Sequence, residues 1–271
     1  MKISYVNNYK TFKEKDATIA LGYFDGFHIG HMELFKKALE LGKKSNTEVG
    51  LITFNMSFYE YINKIEPAYL TSTNERIELA EELGFDFIYI IELTDEFLNL
   101  SYKEFVDIFL RNMKNVIVGF DYTFGKDRLG NTSILKEELG NSLTIISKIE
   151  VDSEKVGTNL IKEYLSNGLL DKANNLLSRP YKIEVMIHKK NKNYCLITNY
   201  YIPRNGDYVL TLIDGNSEIE FTGKIKKKQD GNEVMLKTTS SDILTKMFEK
   251  HKYYKLVFKK YMSNILWFII L

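Results

Sequence analysis

The stretch from Thr18 to His31 constrains the fold more than any other part of the chain. An apolar, strand-like run, Thr18 to Leu21, passes into Gly22-Tyr-Phe-Asp-Gly-Phe-His-Ile-Gly-His31, and a helical pattern follows at once. Over residues 30–41 the period of 3.6 places Leu34, Phe35, Ala38 and Leu41 on one face. Gly22 and Gly26 let the backbone turn sharply between the two elements. Gly42 and Ser45-Asn-Thr then break the pattern, and Val49 to Phe54 reads as a second buried strand. A strand–helix–strand unit of this kind crosses over right-handed, with its strands parallel.

The turn between strand and helix suits an anion. The free N–H groups at a helix start and the positive end of its dipole lie beside the loop. His28 and His31 are two of only four histidines in the chain, and both fall in one four-residue window at this junction. Their N–H donors can hold the oxygens of a triphosphate and stabilise the charge that builds on a pentacoordinate phosphorus. The H-x-x-H spacing also occurs in metal sites, but no cysteine or third histidine lies nearby to complete a tetrahedral set, so no metal site is assigned.

The strand and helix signals repeat downstream. Leu70-Thr-Ser-Thr-Asn-Glu75 opens a helix through Arg76, Ile77, Leu79, Ala80 and Leu83, closed by Gly84. A third strand covers Phe87 to Ile91, and Ser101-Tyr-Lys-Glu104 is a capping box ahead of a helix bearing Phe105, Ile108 and Phe109. Residues 115–118 and 143–149 supply further strands, and residues 1–16 are expected to add one at an edge. Unbroken apolar strands alternating with helices imply an open parallel sheet covered on both faces.

Composition narrows the classes. The chain has 271 residues, 44% of them hydrophobic, enough for two domains with a core. With 37 basic and 36 acidic side chains its net charge is +1, so no overall field draws it to nucleic acid or to an anionic membrane, and neither is expected as a partner. Its single cysteine, Cys195, excludes an internal disulfide framework. The N-terminus lacks the apolar core of a signal peptide, and a cytoplasmic location is expected.

Gly22-Tyr-Phe-Asp-Gly-Phe-His-Ile-Gly-His31 resembles the signature of the prokaryotic FAD synthetases, usually bifunctional riboflavin kinase/FMN adenylyltransferases, within the H-x-G-H nucleotidyltransferases. The likeness continues at Gly119-Phe-Asp-Tyr-Thr-Phe-Gly125, similar to the family's G-x-(D/N)-F-x-F-G, where Asp121 takes the polar position. A carboxylate there can accept from a ribose hydroxyl or a base, or hold water on Mg2+. Gly157-Thr-Asn-Leu-Ile-Lys162 stands where the family has S-S-T-x-I-R, and Lys162 lacks the planar fork of the family's arginine. The family's T-F-x-P-H-P appears as Thr53-Phe-Asn-Met-Ser-Phe58, without the prolines or the histidine. Phe58, Tyr59 and Tyr61 in that segment offer faces on which an isoalloxazine ring can stack, or are ordinary packing aromatics.

Ser178-Arg-Pro-Tyr181 resembles the family's junction into the kinase domain, which sets domains at 1–178 and 179–271. From Tyr181 onward short alternating runs separated by Asn and Gly turns, such as Lys182-Ile-Glu-Val-Met-Ile187 and Asp207-Tyr-Val-Leu-Thr-Leu212, read as a small antiparallel β-barrel-like domain, closed by a helix over 241–251. The kinase motif P-T-A-N is reduced to Thr198-Asn199, and N-x-P-T and E-x-H-L-L-D-F are missing. The seven apolar residues Ile265-Leu-Trp-Phe-Ile-Ile-Leu271 are too few to cross a bilayer and are candidates for docking into the barrel or for contact with a second subunit.

The resemblance implies an α/β protein with a Rossmann-like parallel-sheet nucleotidyltransferase domain, followed by the barrel. It implies FMN adenylyltransferase activity, in which Mg·ATP and FMN give FAD and pyrophosphate, with kinase activity lost. His28 and His31 would carry catalysis, and Gly22, Phe24, Asp25, Gly26, Asp121, Thr158, Asn159 and Lys162 would hold the nucleotide. Two other readings stay open: the same chemistry on another phosphate-ester acceptor, or a flavin- or nucleotide-binding regulator without catalysis. A dinucleotide-dependent oxidoreductase is disfavoured, since no G-x-G-x-x-G follows the first strand.

Overall fold

The apolar alternation that marks Thr18 to Leu21 as a strand also decides which way each side chain points. In the computed structural model, which describes residues 1–13, 16–190, 193–215, 217–227, 233–238 and 252–262, Ile19 and Leu21 face one core layer and Ala20 the other. Two compact units form, Met1–Pro67 with Ser72–Val156, and Ala68–Thr71 with Gly157–Leu271.

In the first unit the elements run β1 (Lys2–Val6), β2 (Thr18–Leu21), α1 (Ile29–Ser45), β3 (Val49–Phe54), α2 (Phe58–Asn63), α3 (Thr73–Glu82), β4 (Phe87–Ile91), α4 (Asp95–Leu98), α5 (Tyr102–Phe109) and β5 (Asn115–Gly119). There follow β6 (Thr123–Phe124), β7 (Gly130–Asn131), α6 (Thr132–Leu139), β8 (Leu143–Ile146), β9 (Glu150–Val151) and β10 (Glu154–Lys155). Six strands make a parallel sheet in the order β1-β4-β3-β2-β5-β8. The expected edge strand is β1. One face buries Leu34, Phe35 and Ala38 of α1 and Ala80 of α3 against Ala20, Leu51, Ile88 and Ile117. The other buries Phe105 and Phe109 of α5 and Leu135 of α6 against Ile19, Ile52 and Val116. The chain steps from β2 to β3 on one side and later places β5 on the other, so the strand order reverses at β2. Loops leaving the carboxyl ends of β2 and β5 therefore part there, at the usual ligand position in open α/β sheets.

The structure differs from the sequence reading in several places. Helix α1 continues to Ser45, because Gly42 is a packing glycine whose added Cβ would lie 2.1 Å from Val49, and Asn46 supplies the left-handed cap at φ 52°. The strand expected over 143–149 stops at Ile146, and β9 and β10 form a short antiparallel hairpin after it. Within the loop after β5, β6 pairs with β7.

In the second unit α7 (Thr158–Ser166) and α8 (Leu170–Leu177) precede β11 (Lys182–Lys190), β12 (Asn193–Ile197), β13 (Gly206–Asp214), β14 (Ser217–Lys227), β15 (Glu233–Thr238) and β16 (Tyr253–Met262). These strands close into an antiparallel barrel in the order β11-β12-β15-β14-β13-β16, which leaves no sheet edge exposed. Its interior is filled by side chains that include Tyr181, Tyr194, Tyr208, Tyr254 and Phe258, all fully buried. Tyr69 joins this unit through a parallel bridge with Tyr200, its N–H donating to the Asn199 carbonyl and its carbonyl accepting from Tyr201. The helix expected over 241–251 and the apolar run from Ile265 lie outside the described residues. No helix among the described residues is long and apolar enough to cross a membrane.

Candidate active site

The loop from Gly22 to His31 is held in an unusual backbone course by its own aromatics. Phe24 and Phe27 take positive φ, 56° and 44°, and Gly26 follows suit at 92°. For a bulky residue that conformation is strained, and burial offsets it: both rings are at most 3% exposed and pack on Phe35 of α1, with centroids 4.9 and 4.8 Å away. A Cβ on Gly22 would meet the Phe24 ring at 2.8 Å, so glycine is needed for the ring to fold back. The Phe24 side chain therefore lies in the core. Asp25 is also buried, at 2% exposure.

His28 is the N-cap of α1. Its Nδ1 accepts from the His31 N–H at 3.3 Å, a donor it shares with the His28 carbonyl at 2.8 Å. That bond assigns the proton of His28 to Nε2, because an accepting nitrogen carries none. A Cβ on Gly30 would come within 3.1 Å of the His28 ring, so the glycine between the two histidines makes room for the imidazole. His31 sits one turn on, its ring stacked on that of His28 with centroids 3.6 Å apart and edge-on to Phe24. Its Nδ1 is buried without a hydrogen bond. Burial first, then His28 and the charge of Arg76, hold the His31 imidazole well below the usual histidine range, so it is neutral at pH 7.

Beneath the loop lies a residue that the sequence reading passed over as one more helix position. Arg76, on α3, is 1% exposed. Its Nη1 donates to the Tyr23 carbonyl at 2.8 Å, Thr53 Oγ1 at 2.8 Å and the Phe54 carbonyl at 2.9 Å, and its Nη2 donates to Thr73 Oγ1 at 3.0 Å. The Thr53 hydroxyl in turn donates to the Tyr23 carbonyl at 2.8 Å. The signal was present in the pattern: Arg76 shares a helical face with Ala80 and Leu83, where a charge is out of place unless it has partners.

Asp121 follows β5, the neighbour of β2, and so stands at the same end of the sheet. It is about half exposed and forms an ion pair with Lys155 of β10, whose ammonium also lies over the Phe120 ring. Thr158, Asn159 and Lys162 belong to the second unit, where they occupy the first turns of α7; the N-cap there, Gly157, makes no side-chain cap bond. Lys162 Nζ lies 5.6 Å from the centroid of the Tyr201 ring.

The segment that departs from the P-H-P pattern has its own solution. Ser57 and Glu60 form a full capping box that starts α2. Phe58 packs on Phe54 and Phe97 of the core, and the Tyr61 hydroxyl donates to Asp95. Tyr59, by contrast, is 67% exposed.

A parallel Rossmann-like sheet with a glycine-rich H-x-G-H loop between its first sheet-centre strand and the following helix defines a nucleotidyltransferase. The family model for FAD synthetase matches residues 10–160. The chain belongs to the FAD synthetase family. It is similar to the bifunctional riboflavin kinase/FMN adenylyltransferase of Bacillus subtilis, 29% identical over 73% of this chain and 68% of that protein. It is also similar to a protein of Listeria monocytogenes named FAD synthetase, 26% identical over 77% of this chain and 86% of that protein. The crystal structure of a macrolide-efflux protein from Streptococcus pneumoniae matches with a TM-score of 0.82 over 98% of this chain and 92% of that one; at 22% identity the likeness is one of fold.

Proposed function

We propose that this chain transfers the adenylyl group of Mg·ATP to the phosphate of FMN, giving FAD and pyrophosphate, and that it does not phosphorylate riboflavin. The observation that carries the first half is the His28–His31 arrangement at the head of α1. The FMN phosphate is already anionic at pH 7, so its oxygen can attack the α-phosphorus without a strong base, while the bond from that phosphorus to the pyrophosphate oxygen breaks. What the protein must supply is alignment and stabilisation of charge. The loop offers the Nε2 donor of His28, the neutral imidazole of His31, the N–H groups at the start of a 17-residue helix and the positive end of its dipole. Lys162 would draw the departing phosphates as a point charge, with Thr158 and Asn159 beside it on the helix start. Magnesium fits as a companion of the triphosphate: it binds through one or two carboxylates and substrate phosphates while keeping several waters, and Asp121 is a carboxylate of that kind.

The second half rests on Thr198-Asn199, the remnant of the kinase motif. The Thr198 hydroxyl donates to the Glu184 carbonyl at 2.6 Å and accepts from the Tyr200 N–H at 3.2 Å, and the Asn199 carbonyl accepts from Tyr69. These groups serve the barrel. The altered segment 55–58 favours one competing reading, that the acceptor is a different phosphate ester. Purified protein incubated with Mg·ATP and either FMN or riboflavin, with products separated chromatographically, tests all of this. FAD from FMN and no FMN from riboflavin are expected. No FAD from FMN would overturn the first half, and the same assay with other phosphate esters would then show whether the acceptor was misassigned.

A further inference from the structure

A fully buried guanidinium costs free energy unless its donors are met, so the residues that meet them say what it is for. Arg76 gives its bonds to the carboxyl ends of two neighbouring strands: the Tyr23 carbonyl just after β2, and Thr53 and the Phe54 carbonyl at the end of β3. The Tyr23 carbonyl accepts twice, from Arg76 and from Thr53, and it immediately precedes Phe24, where φ becomes positive. The Tyr23 ring covers the guanidinium, its centroid 4.9 Å from Cζ. The turn that begins the nucleotide loop is therefore tied down from beneath by one side chain of α3. Ser72 caps that helix by accepting from Glu75, and Thr73 bonds both Arg76 and the Asn55 carbonyl, so the arginine itself stands on a fixed base.

We propose that Arg76 is a positioning residue for the transfer reaction: by locking the Tyr23–Phe24 turn to the end of β3, it sets where His28 and His31 stand relative to the reacting phosphorus. This rests on the adenylyl-transfer reading given above. The charged and titratable groups that act on His31 are His28 at the head of α1 and Arg76 on α3, and both disfavour its protonation. Burial is the main reason that the imidazole stays neutral, and the charge of Arg76 adds to it. A misplacement of catalytic groups by about 1 Å lowers rates on the order of 10²-fold, and that is the scale of effect expected.

Two readouts separate positioning from bulk folding. Arg76→Gln, which keeps some donors but no charge, should lower kcat by roughly 10- to 10²-fold with far less change in the KM for ATP. Arg76→Lys keeps the charge without the fork and should recover part of the loss. In parallel, the histidine ring protons are titrated by NMR in the absence of substrate, with His31 identified by its loss in His31→Gln. The His31 midpoint should rise in Arg76→Gln and stay near the parent value in Arg76→Lys. A folded Arg76→Gln with parent kcat and parent His31 midpoint overturns the proposal. Should the Gln variant fail to fold, Arg76→Lys decides, since full parent kcat there would show that the fork is not needed. If the parent protein makes no FAD, the reaction has been misread, and the NMR titration still tests whether Arg76 governs His31.

Discussion

His28 and His31 hold each other by ring and by backbone: their rings stack with 20° between planes, and the backbone N–H of His31 donates to both the His28 carbonyl and His28 Nδ1. Protonating His28 at Nδ1 would remove that acceptor, and protonating His31 would bury a charge that its surroundings disfavour.

Stability should therefore depend on pH through His31. Its folded pKa lies below the unfolded value, near 6.5, so on acidification the unfolded chain takes up the proton first. The contribution is complete above about pH 6.5 and is lost progressively as pH falls through that value toward the folded one. Urea unfolding of the parent at about pH 7.5 and about pH 5.5 should show the loss, and His31→Gln should show a smaller one. Equal slopes in both proteins would remove His31 as the cause.

Gly30→Ala separates stability from activity. Alanine is the better helix former by about 1 kcal/mol, yet its Cβ would press on the His28 ring from 3.1 Å. The expected outcome is a thermal midpoint within a few degrees of the parent and a kcat lowered about tenfold, as the imidazole moves by a few tenths of an ångström. Parent kcat in this variant would mean that the ring position is not critical.

Lys162 tests the third nucleotide segment. Lys162→Ala should raise the KM for ATP several-fold, and Lys162→Arg should match or exceed the parent, since a fork grips phosphate better than a point charge. Removing the lysine also removes its contact with the Tyr201 ring, which at a partly exposed site is worth about 0.5–1 kcal/mol. Kinetics with ATP varied at saturating FMN, alongside urea unfolding, distinguishes a phosphate ligand from a lysine that only packs on Tyr201.

Asp121 and Lys155 form an exposed ion pair, and such pairs contribute little to stability. Asp121→Asn should shift unfolding by about 0.5 kcal/mol or less while raising the KM for ATP several-fold. A silent variant would leave Asp121 as a turn residue.

Much of this was legible in the residues. Val49 to Phe54 and Phe87 to Ile91 read as buried strands because both faces of a parallel sheet are covered, and the Ser101 capping box is a local device that needs no tertiary contact. Gly42 misled because a glycine that makes room for Val49 looks, in one dimension, like a glycine that ends a helix. What Arg76 bonds to was illegible for a related reason, although its place on an apolar face was not. Its partners are the carbonyls of Tyr23 and Phe54, more than twenty positions away, and backbone acceptors leave no trace in a sequence. The capping box from Ser57 to Glu60 is a local pattern that comparison of the segment with P-H-P passed over.

The placement of β1 bears on how the chain is made. Among the described residues Lys2–Val6 pairs as a strand only with Phe87–Ile91, so it is synthesised roughly 85 residues ahead of its sheet neighbour. At about 5–20 residues per second that is a wait of about 4–17 s, during which Ile3, Tyr5 and Val6 lack their partner strand. The lysine at its start and the serine at its centre keep this early segment from being a continuous apolar run, which limits pairing with other nascent chains.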